Sequence, residues 1–68
     1  MSAPSDVAEL STLRAQLDEI LRRIVAVAER YDETADTAIA TDLFAAERSL
    51  LIARRSLDRA LEMLANQR

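Results

Sequence analysis

Apolar residues in the first half of the chain recur alternately three and four positions apart. The alternation continues over three heptads through Leu10, Leu13, Leu17, Ile20, Ile24, Val27 and Tyr31. This is the a/d pattern of a coiled coil, in which one side of a helix packs against a neighbouring helix. Leu21, Val25 and Ala28 lie beside this row and make the apolar stripe wider than a two-stranded coiled coil needs. The width favours a helical bundle.

The second half of the chain has a heptad register of its own. Leucines seven apart form one row and smaller residues form the alternate row: Leu43, Leu50, Leu57 and Leu64, with Ile39, Ala46, Ala53 and Ala60. Leucine on one row and mostly alanine on the other let a neighbouring helix approach closely. We expect both patterns, the two predicted seams, to form the core or an oligomer interface.

The two registers are out of phase across a short polar segment. It contains three carboxylates and a threonine: Asp32, Glu33, Thr34 and Asp36. Carboxylates oppose the helix dipole at a C-terminus and favour it at an N-terminus. Asp and Thr also cap helices better than they extend them. The segment therefore predicts a reversal of the chain.

We accordingly expect an all-α fold, an antiparallel two-helix coiled-coil hairpin that dimerises into a four-helix bundle. Residues 1–68 would form a single domain, with helix 1 at about 5–31, a turn at about 32–35 and helix 2 at about 36–66. Ser5 or Asp6 is the expected N-cap of helix 1. A single helix of about 90 Å stays open as an alternative, because neither Gly nor Pro marks the turn. An 11-residue repeat also suits a nearly straight helix: Leu17, Ala28, Ile39, Leu50 and Leu61.

Composition limits the chemistry open to this chain. Its 68 residues include no Cys and no His, which excludes cysteine nucleophiles, Ser-His triads, zinc fingers and haem ligation. We expect no metal, no cofactor and no enzymatic activity. A net charge of −3 argues against nucleic acid and acidic membranes as partners. The sequence shows neither a signal peptide nor a long apolar span, so we expect a cytoplasmic protein.

Small size points to self-association. So short a chain buries a small share of its surface when it folds alone, and it has no disulfide to compensate. We therefore expect a homodimer.

The outer side of helix 2 carries a second pattern, an apolar patch crossed by arginines. At about 100° per residue its members fall within one sector of the helix: Phe44, Arg48, Leu51, Ile52, Arg55 and Arg59. Arginine and aromatic residues are enriched at protein interfaces, so this outer face predicts docking of a second, unidentified protein. It could equally pack against the second hairpin of a homodimer, or be exposed without a partner.

Two other functions are compatible with the sequence. Arg48 and Arg55 from two copies could clamp a phosphate or carboxylate, as in a small-anion or nucleotide sensor. Separately, Leu13-Arg14, Leu17-Asp18, Ile20, Ile24-Val25 and Arg30 resemble the first helix of the AroQ-type chorismate mutases.

That resemblance covers residues 13–30 and implies an intertwined helical dimer in which arginines and a lysine hold the substrate's carboxylates. Arg14 would match the first substrate-binding arginine. The sequence departs from the motif at Leu21, where the family has Asp, and at Tyr31, where it has Arg; Arg30 stands one step early and there is no Lys. The function that the whole sequence favours is a non-enzymatic protein–protein interaction module, acting as an adaptor, regulator or assembly subunit.

Overall fold

The protein is a helical hairpin. A computed structural model describes residues 3–67, in which helix α1 spans Ala3–Asp32 and helix α2 spans Thr37–Ala65. The two helices pack against each other along their length, and the Cα atoms extend over 54 × 15 × 14 Å. The predicted hairpin is thus confirmed, and the single long helix is excluded.

Helix α1 begins before the predicted cap. Ser5 and Asp6 already lie inside the helix, so the prediction that one of them is its N-cap is wrong. Pro4 is compatible with this earlier start because the first turn of a helix does not use the backbone N–H that proline lacks. The Asp6 carboxylate lies in that first turn, where it favours the helix dipole.

A threonine organises the turn between the helices. The Thr34 hydroxyl donates to the carbonyl of Tyr31 at 2.8 Å and accepts from the backbone N–H of Asp36 at 3.1 Å. The backbone N–H of Thr34 also donates to the Tyr31 carbonyl, at 3.2 Å. Within residues 3–67 no residue has a positive φ, so the chain reverses without the left-handed conformation that would favour glycine.

Helix α2 begins directly after this turn. Asp36 occupies the N-cap position without a side-chain capping bond, and its carbonyl accepts from the N–H of Ile39 at 3.0 Å. At the other end the N–H of Asn66 donates to the carbonyl of Glu62 at 3.1 Å. The hydrogen bonds at both ends of α2 are therefore made between backbone groups.

The core of the hairpin is narrow. Three apolar residues of the described chain are buried, Leu21, Ala28 and Ala40, and two of the three are alanine. No large side chain among the described residues is fully enclosed. The remaining contact between the helices is made by half-buried side chains.

One row of each predicted seam lies in the contact between the helices. Its members are all half-buried: Leu10, Leu17, Ile24 and Tyr31 in α1, and Leu43, Leu50, Leu57 and Leu64 in α2. The partner row is displaced by one residue from the prediction. In α1 it contains Leu21 and Ala28, and in α2 it contains Ala40.

The alternate rows of both predicted seams are only partly covered by this contact, and their place in an oligomer interface stays a prediction. Leu13 is 43% exposed, Ile20 48% and Ile39 43%. Val27 is half-buried at the edge of the contact. Each helix is turned by about one position relative to the predicted seam, and its alternate row lies partly at the edge of the contact and partly on the surface.

Four charged residues occupy the middle of the contact and fix its register. Arg14 holds the Asp58 carboxylate through two nitrogens, with Nε–Oδ1 at 2.7 Å and Nη2–Oδ2 at 3.3 Å. Arg14 also bonds to Asp18, whose other carboxylate oxygen lies 2.9 Å from Nη1 of Arg54. The four side chains form one chain of alternating charge across the two helices.

Candidate interaction surfaces

The alternate rows of the two predicted seams lie on the same side of the hairpin. A shallow groove on this side is lined by Ile20, Ile24 and Val27 of α1 and Leu43 of α2, with Arg23 at its edge. Ile39 precedes Leu43 by four positions and Ala46 follows it by three, so both share its side of the helix. We call this surface the apolar side: Leu13, Ile20, Val27, Ile39, Ala46, Ala53 and Ala60.

The opposite side of the hairpin is charged. A second groove there is lined by Asp18, Leu21, Arg22, Val25, Glu47, Leu51 and Arg54. Arg22 also pairs with Glu19 on the outer surface of α1. Four of the seven residues that line this groove are charged, whereas Arg23 is the one charged residue that lines the groove on the apolar side.

The outer face of α2 is only partly exposed. Phe44 and Leu51 are half-buried, and Leu51 lines the charged groove against α1. Arg48, Ile52, Arg55 and Arg59 are exposed, with Ile52 at 62%. Four of the six predicted docking residues therefore lie on the surface, and the other two contribute to packing within the hairpin.

The arginines of this outer face differ in their partners. Arg59 donates to the hydroxyl of Ser56 at 3.0 Å. Arg48 and Arg55 have no ion pair among residues 3–67 and lie on either side of a depression that includes Ile52. They are seven residues apart on one helix, or about 10 Å. One chain alone thus does not bring them together around a phosphate, and the sensor hypothesis requires arginines from two chains.

The charged cluster across the helices is the feature that the sequence-based prediction missed. Hydrogen bonding from Arg54 lowers the pKa of Asp18, and hydrogen bonding from Arg14 lowers the pKa of Asp58. The Asp58 contact in turn raises the pKa of Arg14 above its ordinary value. A sequence clue does exist, because Arg14-Asp18 and Arg54-Asp58 are both i,i+4 pairs with the arginine first. Two such pairs become complementary when their helices run antiparallel.

Arg14 is also the residue that the chorismate mutase resemblance assigns to substrate binding. In the structure its guanidinium is shared by two carboxylates, those of Asp58 and Asp18. A substrate carboxylate would have to displace Asp58, a contact that helps to hold the two helices in register. The geometry gives Arg14 a structural role and does not favour the enzymatic alternative.

The described part of the chain has neither a metal-binding cluster nor a membrane-spanning helix. No group of three or more carboxylates there is arranged to hold a metal ion. Neither helix combines the length and the apolar character needed to cross a membrane.

Comparison with known proteins gives no family to which the chain can be assigned. No family model, curated protein or solved structure matches it. Function must therefore be argued from the surfaces themselves.

Proposed function

We propose that this chain is a non-enzymatic protein–protein interaction module, an adaptor, regulator or assembly subunit, which forms a homodimer through its apolar side. The observation that supports the proposal most strongly is the exposure of large aliphatic side chains on that side. Leu13, Ile20 and Ile39 are each more than two-fifths exposed and lie on the same side of the hairpin. Soluble proteins rarely leave contiguous apolar surface of this kind without a partner.

The accessible area of the hairpin agrees with this proposal. A compact monomer of 7.6 kDa exposes about 4,300 Å², whereas the hairpin exposes 5160 Å². The excess of roughly 900 Å² is close to the area of about 800 Å² that each partner buries in a stable interface. Burial of about that area against a second hairpin would bring the exposed area of each chain close to that of a compact monomer of its mass.

The outer face of α2 would remain available in such a dimer. Arg48, Ile52 and Arg55 point away from the groove that contains Ile20 and Leu43, because they lie on a different side of α2. An exposed aliphatic side chain between two arginines is typical of interface residues. We propose this face as the docking site for a second protein, which makes the dimer a connector.

Substitution of Ile20 tests the homodimer. Ile20→Glu places a carboxylate on the apolar side without entering the contact between α1 and α2. In a dimer that carboxylate would be taken out of water, and pairing with Arg23 of the same groove would not offset the cost of desolvating both charges, which is of the order of several kcal/mol. Light scattering coupled to size exclusion should show a dissociation constant of the dimer that is at least tenfold higher than that of the unchanged protein.

Ala26→Glu is the matched control, because Ala26 is an exposed residue of α1 on the side away from Ile20, and it should leave the dimer intact. Equal behaviour of the two variants, or a dimer that tolerates Ile20→Glu, would contradict the assignment of the interface.

A further inference from the structure

At three successive levels of the apolar side, a large residue of α1 faces an alanine of α2, and Ile39 lies beyond them beside the turn. Arg14 lies level with Asp58 and Asp18 with Arg54, so each step forward along α1 corresponds to one step back along α2. When the count starts from these pairs, the position in α2 that faces a given residue of α1 is defined to within about one residue, or 1.5 Å. The matched positions are Leu13 with Ala60, Ile20 with Ala53 and Val27 with Ala46. At all three levels α1 supplies the large side chain and α2 the alanine.

This asymmetry determines how a second hairpin can fit. Two hairpins can meet through their apolar sides in two symmetric ways. The two-fold axis that relates them runs either parallel to the helices, the parallel axis, or perpendicular to the helices, the transverse axis. The parallel axis sets α1 of one copy on α2 of the other, and both turns lie at the same end. The transverse axis sets α1 on α1 and α2 on α2, and the turns lie at opposite ends.

Only the parallel axis matches large side chains to small ones. It places the second copy's Ile20 over Ala53, with Leu13 over Ala60 and Val27 over Ala46 at the same levels. The transverse axis would set the aliphatic row of α1 on itself and the alanine row on itself. Protein interiors are packed at near-crystalline density, so one pair of helices would be forced apart and the other would leave voids.

We propose that the homodimer is a four-helix bundle in which α1 of each hairpin packs against α2 of the other, with both turns at the same end. The proposal deepens the proposed function and rests on it, because it names the second copy as occupant of the apolar side. Its interface is isologous, as two-fold symmetry requires. The two outer faces of α2 then lie on opposite sides of the bundle, so the dimer presents two equivalent docking sites.

Distance measurement between spin labels tests this arrangement. The described chain has no cysteine, so one substitution gives one label on each copy. Ala35→Cys labels the turn and Asn66→Cys labels the open end, and both positions are exposed. Neighbouring helices in a bundle lie about 10 Å apart, so the proposal predicts distances below about 30 Å at both ends. The transverse arrangement predicts distances near the 54 Å length of the hairpin.

A third label makes every outcome decisive. Ala15→Cys is exposed and close to the middle of α1, so it gives a short distance in either arrangement. A short distance there with long distances at both ends would overturn the proposed arrangement and leave the dimer standing. No dipolar coupling at any of the three positions would overturn the dimer as well. Circular dichroism of each labelled variant verifies that the helices have formed.

Discussion

Arg14 shows what a polar residue contributes inside an apolar seam. Its side chain is 25% exposed and that of its partner Asp58 is 48% exposed. Ion pairs as exposed as these add little stability because water and salt screen them. They do select a register. A slip by one heptad would set Arg14 beside Leu51 or Ala65, both apolar, and leave it only Asp18 of its own helix as a partner.

The aspartates of the cluster predict a distinct dependence on pH. Their pKa values are lower in the folded chain than the ordinary value of 3.8. The stability they contribute is therefore present above about pH 4 and is lost as the pH falls through the lowered pKa values. We expect the urea midpoint of the protein to fall between about pH 5 and pH 2, and to fall less in the double variant Asp18→Asn, Asp58→Asn.

A control for charge alone is Asp32→Asn with Asp42→Asn, two exposed residues without an ion pair among residues 3–67. That variant should keep the acid sensitivity of the unchanged protein. If the two double variants respond to acid in the same way, the cluster does not contribute to folding as described.

At the scale of the elements, the turn depends on one hydroxyl group. Thr34 both donates to Tyr31 and accepts from Asp36, and it does so in a turn that has no glycine. Thr34→Val keeps the shape of the side chain and removes both bonds, so we expect a loss of about 1 kcal/mol in the free energy of unfolding. Thr34→Ser retains the hydroxyl and should lose markedly less. Chemical denaturation of the two variants under identical conditions measures the difference, and equal losses would show that the hydroxyl bonds do not hold the turn.

The helices show which parts of the fold could be predicted from the sequence and which could not. The rows through Leu17 and Leu50 were predictable, because large aliphatic residues seven apart must share one side of a helix. The neighbouring row was not, because α1 has an aliphatic residue at both Ile20 and Leu21. Either could complete the seam locally, and the outcome depends on contacts with α2 such as the pair between Asp18 and Arg54.

The outer face of α2 illustrates the same limit. Sequence periodicity placed Phe44 and Leu51 together with Arg48 and Ile52, and they do lie on adjoining parts of the helix. How far α1 covers each of them depends on the rotation of the two helices about their axes. That rotation buries part of Phe44 and Leu51 and leaves Ile52 exposed.

At the scale of the whole molecule, the hairpin by itself has little to hold it together. Ordering each residue costs about 1–2 kcal/mol of backbone entropy, and in the described chain this is opposed by three buried apolar residues and by rows of half-buried ones. Small domains usually add a disulfide, a metal or a second subunit. Cysteine is absent from the sequence, and the apolar side is available for a second subunit. The proposed dimer would therefore contribute both to the stability of the fold and to the function that we propose for it.

The mass of the unmodified protein in solution tests this central claim most directly. At the upper end of a range of micromolar concentrations, sedimentation equilibrium should give a folded species of twice 7.6 kDa. On dilution, helical content and mass should decrease together because each depends on the other. A fully helical, cooperatively folding monomer of 7.6 kDa throughout that range would contradict the account.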